Sequence, residues 1–121
     1  MRILGFAKMW DKLKQPEFTT FRFPRGDKDW QVEEEVQIVF KPRSKDRKIL
    51  GVARIIAKEE RHLYCYNNRE DEEARRDGFA NKHEMLLWLT KVHGERWQYE
   101  EMNKLTLRWQ EIAGALIKEA T

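Results

Sequence analysis

Thr20 and Arg22 stand two residues apart in the β-prone run Phe18-Thr19-Thr20-Phe21-Arg22-Phe23. On a strand they share one face, and Phe21 and Phe23 share the other. A hydroxyl and a guanidinium side by side can hold a phosphate or a carboxylate, the guanidinium through two parallel N–H bonds. The same two types also make an ordinary solvated strand face, and the residues alone leave both readings open. Glu84 follows Asn81 by three residues, which is capping-box spacing: the Asn side chain caps a helix start and the carboxylate reaches back to the cap's N–H. Work as an acid or base would ask more of Glu84, namely a raised pKa and a nucleophile beside it. One carboxylate oxygen can cap while the other faces a ligand.

Cationic residues gather in one loop, Lys41, Arg43, Lys45, Arg47 and Lys48, with Arg54 beyond. Acidic residues gather elsewhere, at Glu33–Glu35 and Glu70–Glu73. A segregated basic patch can track a phosphate backbone; a solubilising hairpin tip has the same composition. Trp10 and Trp30 flank the Thr20–Arg22 run in sequence. Each is either a stacking platform for a base at a cleft mouth or a partly buried packing residue. Trp88 and Trp109 fall on apolar stripes and are expected in the core. His62, His83 and His93 show no metal-ligand spacing with one another or with Cys65, so neither a metal nor another cofactor is expected. The single cysteine excludes an internal disulfide and a thiolate zinc cluster, and reads as a half-buried structural thiol. No glycine-rich phosphate loop is present; Pro24-Arg25-Gly26-Asp27 is a turn.

The elements that must position these residues are legible from periodicity. Arg2–Phe6 reads as a first strand, and Ala7–Lys14 as one or two turns of amphipathic helix stopped by Gln15-Pro16. Phe18–Phe23 is a strand. Trp30–Phe40 contains another, after a solvated acidic turn. Lys41–Lys48 is the loop of a hairpin whose second strand runs over Ile49–Ala57, with Gly51 where a side chain does not fit. Leu63–Tyr66 is a further strand candidate and Asn67-Asn68 a turn or cap. A short charged helix over Arg69–Arg76 ends at Asp77-Gly78, and a second helix runs from Lys82 to Val92 with Met85, Leu86, Trp88, Leu89 and Val92 as its apolar stripe. Gly94 caps it. Leu105, Leu107 and Trp109 alternate along a closing strand over Met102–Gln110, and Ala113, Leu116, Ile117 and Ala120 suggest a short C-terminal helix. Many antiparallel strands with one helix pair inserted predict an α+β fold, a small and partly closed barrel flanked by short helices.

Length and composition bound the rest. The chain has 121 residues, 40% hydrophobic and 37% charged, with a net charge of +3. That suits one domain over 1–121, with its core over about 2–110 and the short helix over about 111–120. No apolar run approaches the ~20 residues that span a bilayer, and Lys8 and Asp11 interrupt the one apolar start. A cytosolic protein with no membrane partner is expected. Nothing in the residues fixes the oligomeric state.

Two blocks resemble the ASCH domain, a branch of the PUA-like fold. Trp10–Arg22 is similar to the family's short helix followed by Gly-x-Lys-Thr-x-Thr-x-Arg. Glu73-Ala74-Arg75-Arg76-Asp77-Gly78-Phe79, with Glu84-Met85 beyond, is similar to its Glu-Ala-x-x-Asp-Gly-Phe and following helix. The resemblance implies a PUA-like small mixed β-barrel that binds RNA or a nucleotide in a cleft. Its ligand-binding residues would be Thr20, Arg22, Glu84, Trp10 and Trp30, with Lys41, Arg43, Lys45, Arg47, Lys48 and Arg54 on the backbone. Some members deacylate a modified, acetylated cytidine nucleoside using Lys, Thr and Glu. The Thr and Glu fall on Thr20 and Glu84. The family lysine falls on Glu17 and its preceding glycine on Gln15, so the base would be Lys14, or Lys12, from another backbone position.

Overall fold

In the computed structural model, which describes residues 1–61, 70–96 and 100–112, the apolar alternation forms five strands: β1 (Arg2–Phe6), β2 (Glu17–Arg22), β3 (Glu35–Phe40), β4 (Lys48–Arg61) and β5 (Met102–Ile112). They make one mixed sheet in the order β1-β3-β4-β5-β2, curled into a half-barrel. β1 runs parallel to β3, and every other neighbouring pair is antiparallel. The expected hairpin is present, with β3 and β4 joined through the basic loop. The Leu63–Tyr66 strand, Asn67-Asn68, Cys65, His62 and the C-terminal helix lie outside the described residues.

The curl has a local cause. Register shifts interrupt the β3–β4 ladder at Ile38/Val39 and the β4–β5 ladder at Val52/Ala53 and Ile55/Ala57. Bulges bend a strand and increase its twist, so the long β4 wraps around the core instead of lying flat. Gly51 makes one bend possible. Its φ is +149°, and a Cβ there would sit 2.0 Å from the Glu111 carbonyl oxygen.

Curling brings the two edge strands, β1 and β2, towards each other with no ladder between them. Side chains span this seam instead. Phe6 of β1 meets Phe18 of β2 edge-to-face at 6.1 Å. Arg22 of β2 donates to the Gly5 carbonyl of β1 at 2.7 Å. Inside the curl lies the main core, including Leu4, Val36, Ile38, Ile55, Leu105 and Leu107. Trp30 belongs to it, only 4% exposed. The loop before β3 closes over that region. Arg2 donates to both Glu34 oxygens at 2.7 Å, and its guanidinium lies 4.4 Å from the Trp30 ring centroid.

The helices α1 (Glu70–Arg76) and α2 (Lys82–His93) lie on the other face of β2 and β5, where Phe21, Ala74, Met85, Leu89 and Met102 form a second core. Both faces of β2 are therefore covered. Glu73 ties α1 to the sheet through Arg61 and Lys104, each at 3.0 Å. The Asp77-Gly78 corner closes α1 as a Schellman motif: the Phe79 N–H reaches the Ala74 carbonyl at 2.9 Å and the Gly78 N–H the Arg75 carbonyl at 3.0 Å, with Gly78 at φ +105°. Asn81 then caps α2, accepting the Glu84 N–H at 2.9 Å. The helix expected over Ala7–Lys14 contracts to a single 3-10 turn, Asp11–Lys14.

Candidate functional site

The seam between β1 and β2 opens into a cleft of about 230 Å³, which the corner and α2 close from the side. Its polar lining draws on three places besides His93 of α2. β2 contributes Thr20 and Arg22, the 3-10 turn contributes Lys12, and the end of α1 contributes Asp77. Thr20 is buried, and its Oγ1 accepts from Arg22 Nε at 3.2 Å. The Arg22 guanidinium also lies 4.8 Å from the Phe6 centroid. Two hydrogen bonds and one ring fix its orientation.

Lys12 and Asp77 are both nearly sealed from solvent, their side chains each 6% exposed, with Lys12 Nζ 3.3 Å from Asp77 Oδ1. Thr19 donates its hydroxyl to the same carboxylate at 3.1 Å. Burial pulls the Lys12 ammonium below its ordinary range, against the attraction of Asp77. Burial likewise pushes the Asp77 carboxyl up, against Lys12, Thr19 and Arg22. The Arg22 guanidinium is lowered by burial to about 10. Three ionisable groups thus meet in a dry space where desolvation outweighs their mutual attraction.

The apolar wall is aromatic. Trp10 packs edge-to-face on Phe79 at 5.0 Å and on Trp88 at 5.3 Å. Gly78 lets Trp10 lie close, since a Cβ there would come within 3.1 Å of the indole. His93, the last residue of α2, stands at the cleft against Phe23, ring centroids 5.0 Å apart. Burial lowers its pKa, and Arg96 and Arg22 lower it further. Lys12 and Phe79 also line an open hollow of about 690 Å³ on the far side of the turn.

Gly5, Ala7 and Arg22 of the cleft also line a shallow groove of about 580 Å³ along β1, together with Arg25, Lys41 and Arg43. Lys41 adopts a left-handed φ of +47°, held there by its N–H bond to the Phe6 carbonyl at 2.8 Å. That bond folds the start of the basic loop back over β1.

The expected site residues are therefore only partly assembled. Thr20, Arg22 and Trp10 line the cleft. Glu84 does not; it is exposed on the first turn of α2, and the buried carboxylate at the cleft is Asp77. Lys14 points away, 3.6 Å from Asp11 at the surface, and the lysine of the cleft is Lys12. Glu17, at the family's lysine position, is exposed and paired with Arg108 at 3.0 Å. Trp30 is only 4% exposed, with Arg2 4.4 Å from its ring centroid, and lines the groove beside the cleft, not the cleft itself. Of the basic set, Lys41 and Arg43 reach the groove. Lys45 and Arg47 are exposed on the loop and Lys48 at the start of β4, and Arg54 is engaged by Glu35 at 2.9 Å and Glu33 at 3.9 Å.

Sequence reasoning passed over Asp77, Thr19, His93 and Arg25 as site residues. One signal did point to Asp77. A carboxylate at the C-terminal end of a helix meets the negative end of the helix dipole, so an Asp in that position calls for a nearby cation. Among the described residues, no group of three His, Cys, Asp or Glu side chains could hold a metal ion, and no helix is long and apolar enough to cross a membrane. Comparison of the chain with family models, curated proteins and solved structures finds no match.

Proposed function

We propose that this chain is a PUA-like module of the ASCH type that binds RNA or a nucleotide, with a base held in the seam cleft. The observation that carries the reading is the composition of that cleft. A fixed guanidinium, a buried hydroxyl and a buried Lys–Asp pair face an aromatic wall. Such a lining offers donors and acceptors to the edge of a heteroaromatic ring and apolar contact to its faces. The two blocks that resemble the family meet at this point, since β2 and the Asp77-Gly78 corner form adjacent walls. The exposed cations of the basic loop supply a surface for a phosphate backbone. The test is binding to a panel of single-stranded RNAs at low salt. Binding should exceed that of a charge-matched control protein and weaken at least about tenfold in Arg22→Lys, which keeps the charge but loses the forked geometry. Binding no better than the control would remove the reading.

A second reading, deacylation of an acetylated cytidine, draws support from Lys12. Burial favours the neutral amine of this lysine, and a neutral amine can take the proton of a threonine hydroxyl. Thr20 would attack the acyl carbonyl, the nucleoside amine would leave with a proton, and water would release acetate from the threonine ester. Incubation with acetylated cytidine decides it. Turnover lost in Thr20→Val supports the reading; no turnover by the wild type closes it for that substrate.

A further inference from the structure

The groove beside the cleft carries four cationic side chains among apolar ones, and the inference drawn from it rests on the nucleotide reading of the cleft. Arg22, Arg25, Lys41 and Arg43 line it together with the Ser44 hydroxyl, and no carboxylate does. These cations are held in place by several devices. Arg22 is fixed by Thr20 and Gly5. The Arg25 backbone N–H is tied to Asp29 at 3.1 Å, its guanidinium leans over Trp30 at 5.8 Å, and Asp27 stands 3.6 Å from its Nε. Lys41 is pinned in a left-handed conformation by its bond to Phe6, an arrangement that persists only where surrounding contacts enforce it. Pro42 lies flat on Gly5, where a Cβ would meet its ring at 2.6 Å. The loop is thereby drawn onto the β1 edge, carrying two cations to the cleft's own threshold.

Arg22 lines both spaces together with Gly5 and Ala7, so the cleft and the groove adjoin at these residues. The cleft, at about 230 Å³, is smaller than the ~300–1,000 Å³ of pockets that enclose drug-sized ligands, and suits a single ring system. We propose that the groove is a phosphate seat, and that the ligand is a nucleotide bearing a phosphate next to the base bound in the cleft, not a free nucleoside. The phosphate sits on Arg25, Lys41 and Arg43; Lys45 and Arg47, farther along the loop, lie outside the seat. A free 5′-nucleotide and a nucleotide within an RNA strand carry the same chemistry, and the experiment separates them.

The four ribonucleosides, their 5′-monophosphates and a short mixed-sequence single-stranded RNA are titrated into the full chain by calorimetry. The titrations are repeated with Arg25→Gln/Arg43→Gln and with the control pair Lys45→Gln/Arg47→Gln. All four positions are exposed, so both variants keep the fold. The expected result is a monophosphate bound at least about tenfold tighter than its nucleoside, in line with charge-assisted hydrogen bonds. Arg25→Gln/Arg43→Gln should erase that gain without changing nucleoside affinity, and the control pair should retain it. RNA binding with the same dependence on Arg25 and Arg43, and none of free monophosphates, also supports the seat and identifies the source as a strand. Nucleosides bound as tightly as monophosphates, or an equal loss in the control pair, overturn the phosphate seat and leave the cleft reading standing. No binding of any nucleoside, nucleotide or RNA overturns both.

Discussion

Removing one partner of the buried Lys12–Asp77 pair should damage the fold far more than removing the whole cluster. At the observed 3.3 Å separation and an effective dielectric of about 20, the attraction is about 5 kcal/mol. Burial nevertheless shifts both groups towards their neutral forms, Lys12 down and Asp77 up. Desolvation therefore outweighs attraction, and the charged pair contributes no net stability at neutral pH. Lys12→Met leaves the Asp77 carboxylate buried without its ammonium partner, keeping the Thr19 hydroxyl bond, and Asp77→Asn leaves Lys12 buried without its carboxylate. Each single variant should lose about 3–5 kcal/mol, a large share of the stability of a domain this size. The triple variant Lys12→Met/Asp77→Leu/Thr19→Val removes the pair together with the hydroxyl that would otherwise lose its acceptor, and leaves Arg22 held by Thr20 and Gly5. It should fall within about 1 kcal/mol of the wild type, or exceed it. Urea unfolding at pH 7 measures all three. The sign of the pH dependence gives a second check. In Lys12→Met, Asp77 has a folded-state pKa raised above its unfolded value, so its contribution is present below about pH 4. It is lost as the pH rises through the folded-state value, and the deficit should be smaller at pH 4 than at pH 7. Single variants losing less than about 1 kcal/mol, or a triple variant losing the sum of the singles, would refute the reasoning.

His93 is lowered by burial and then by Arg96 and Arg22. Its neutral form therefore contributes stability above about pH 6.5 that is lost as the pH falls through its lower folded-state pKa; His93→Gln should flatten the melting temperature between pH 5 and pH 7. Gly51→Ala, which forces a Cβ onto the Glu111 carbonyl at φ +149°, should cost more than about 3 kcal/mol in urea unfolding, whereas Gly26→Ala, with open space around it, should stay within about 0.5 kcal/mol.

The frame of the molecule was legible because its elements carry their periods openly. Leu105 and Leu107 alternate through β5, Met85 and Leu89 mark the buried side of α2, and Gly78 and Gly94 take the positive φ angles expected at helix ends. The site was less legible. Lys8, Lys12 and Lys14 are equivalent in a sequence, and only the 3-10 turn sends Lys12 inward while Lys14 meets Asp11 at the surface. Phe21 shares no face with Thr20, yet both are buried, because helices cover one side of β2 and the curl covers the other. An alternation argument assumes one dry face and one wet face, and that assumption fails here. Trp30 is buried for a similar reason, with Arg2 of β1 lying over its ring. The length of β4 was underread because its last four residues, Lys58–Arg61, are all charged and carry no apolar alternation.

The seam has a kinetic meaning as well. β3, β4 and the hairpin between them close with short loops, whereas β2 joins β5 through contacts such as Glu17 with Arg108, 91 residues apart in sequence. Thr19 meets Asp77 across 58 residues. Loop-closure entropy makes such pairings slow relative to the hairpin. The cleft requires both edge strands to be in place, so loop-closure entropy predicts that it forms after the β3–β4 hairpin.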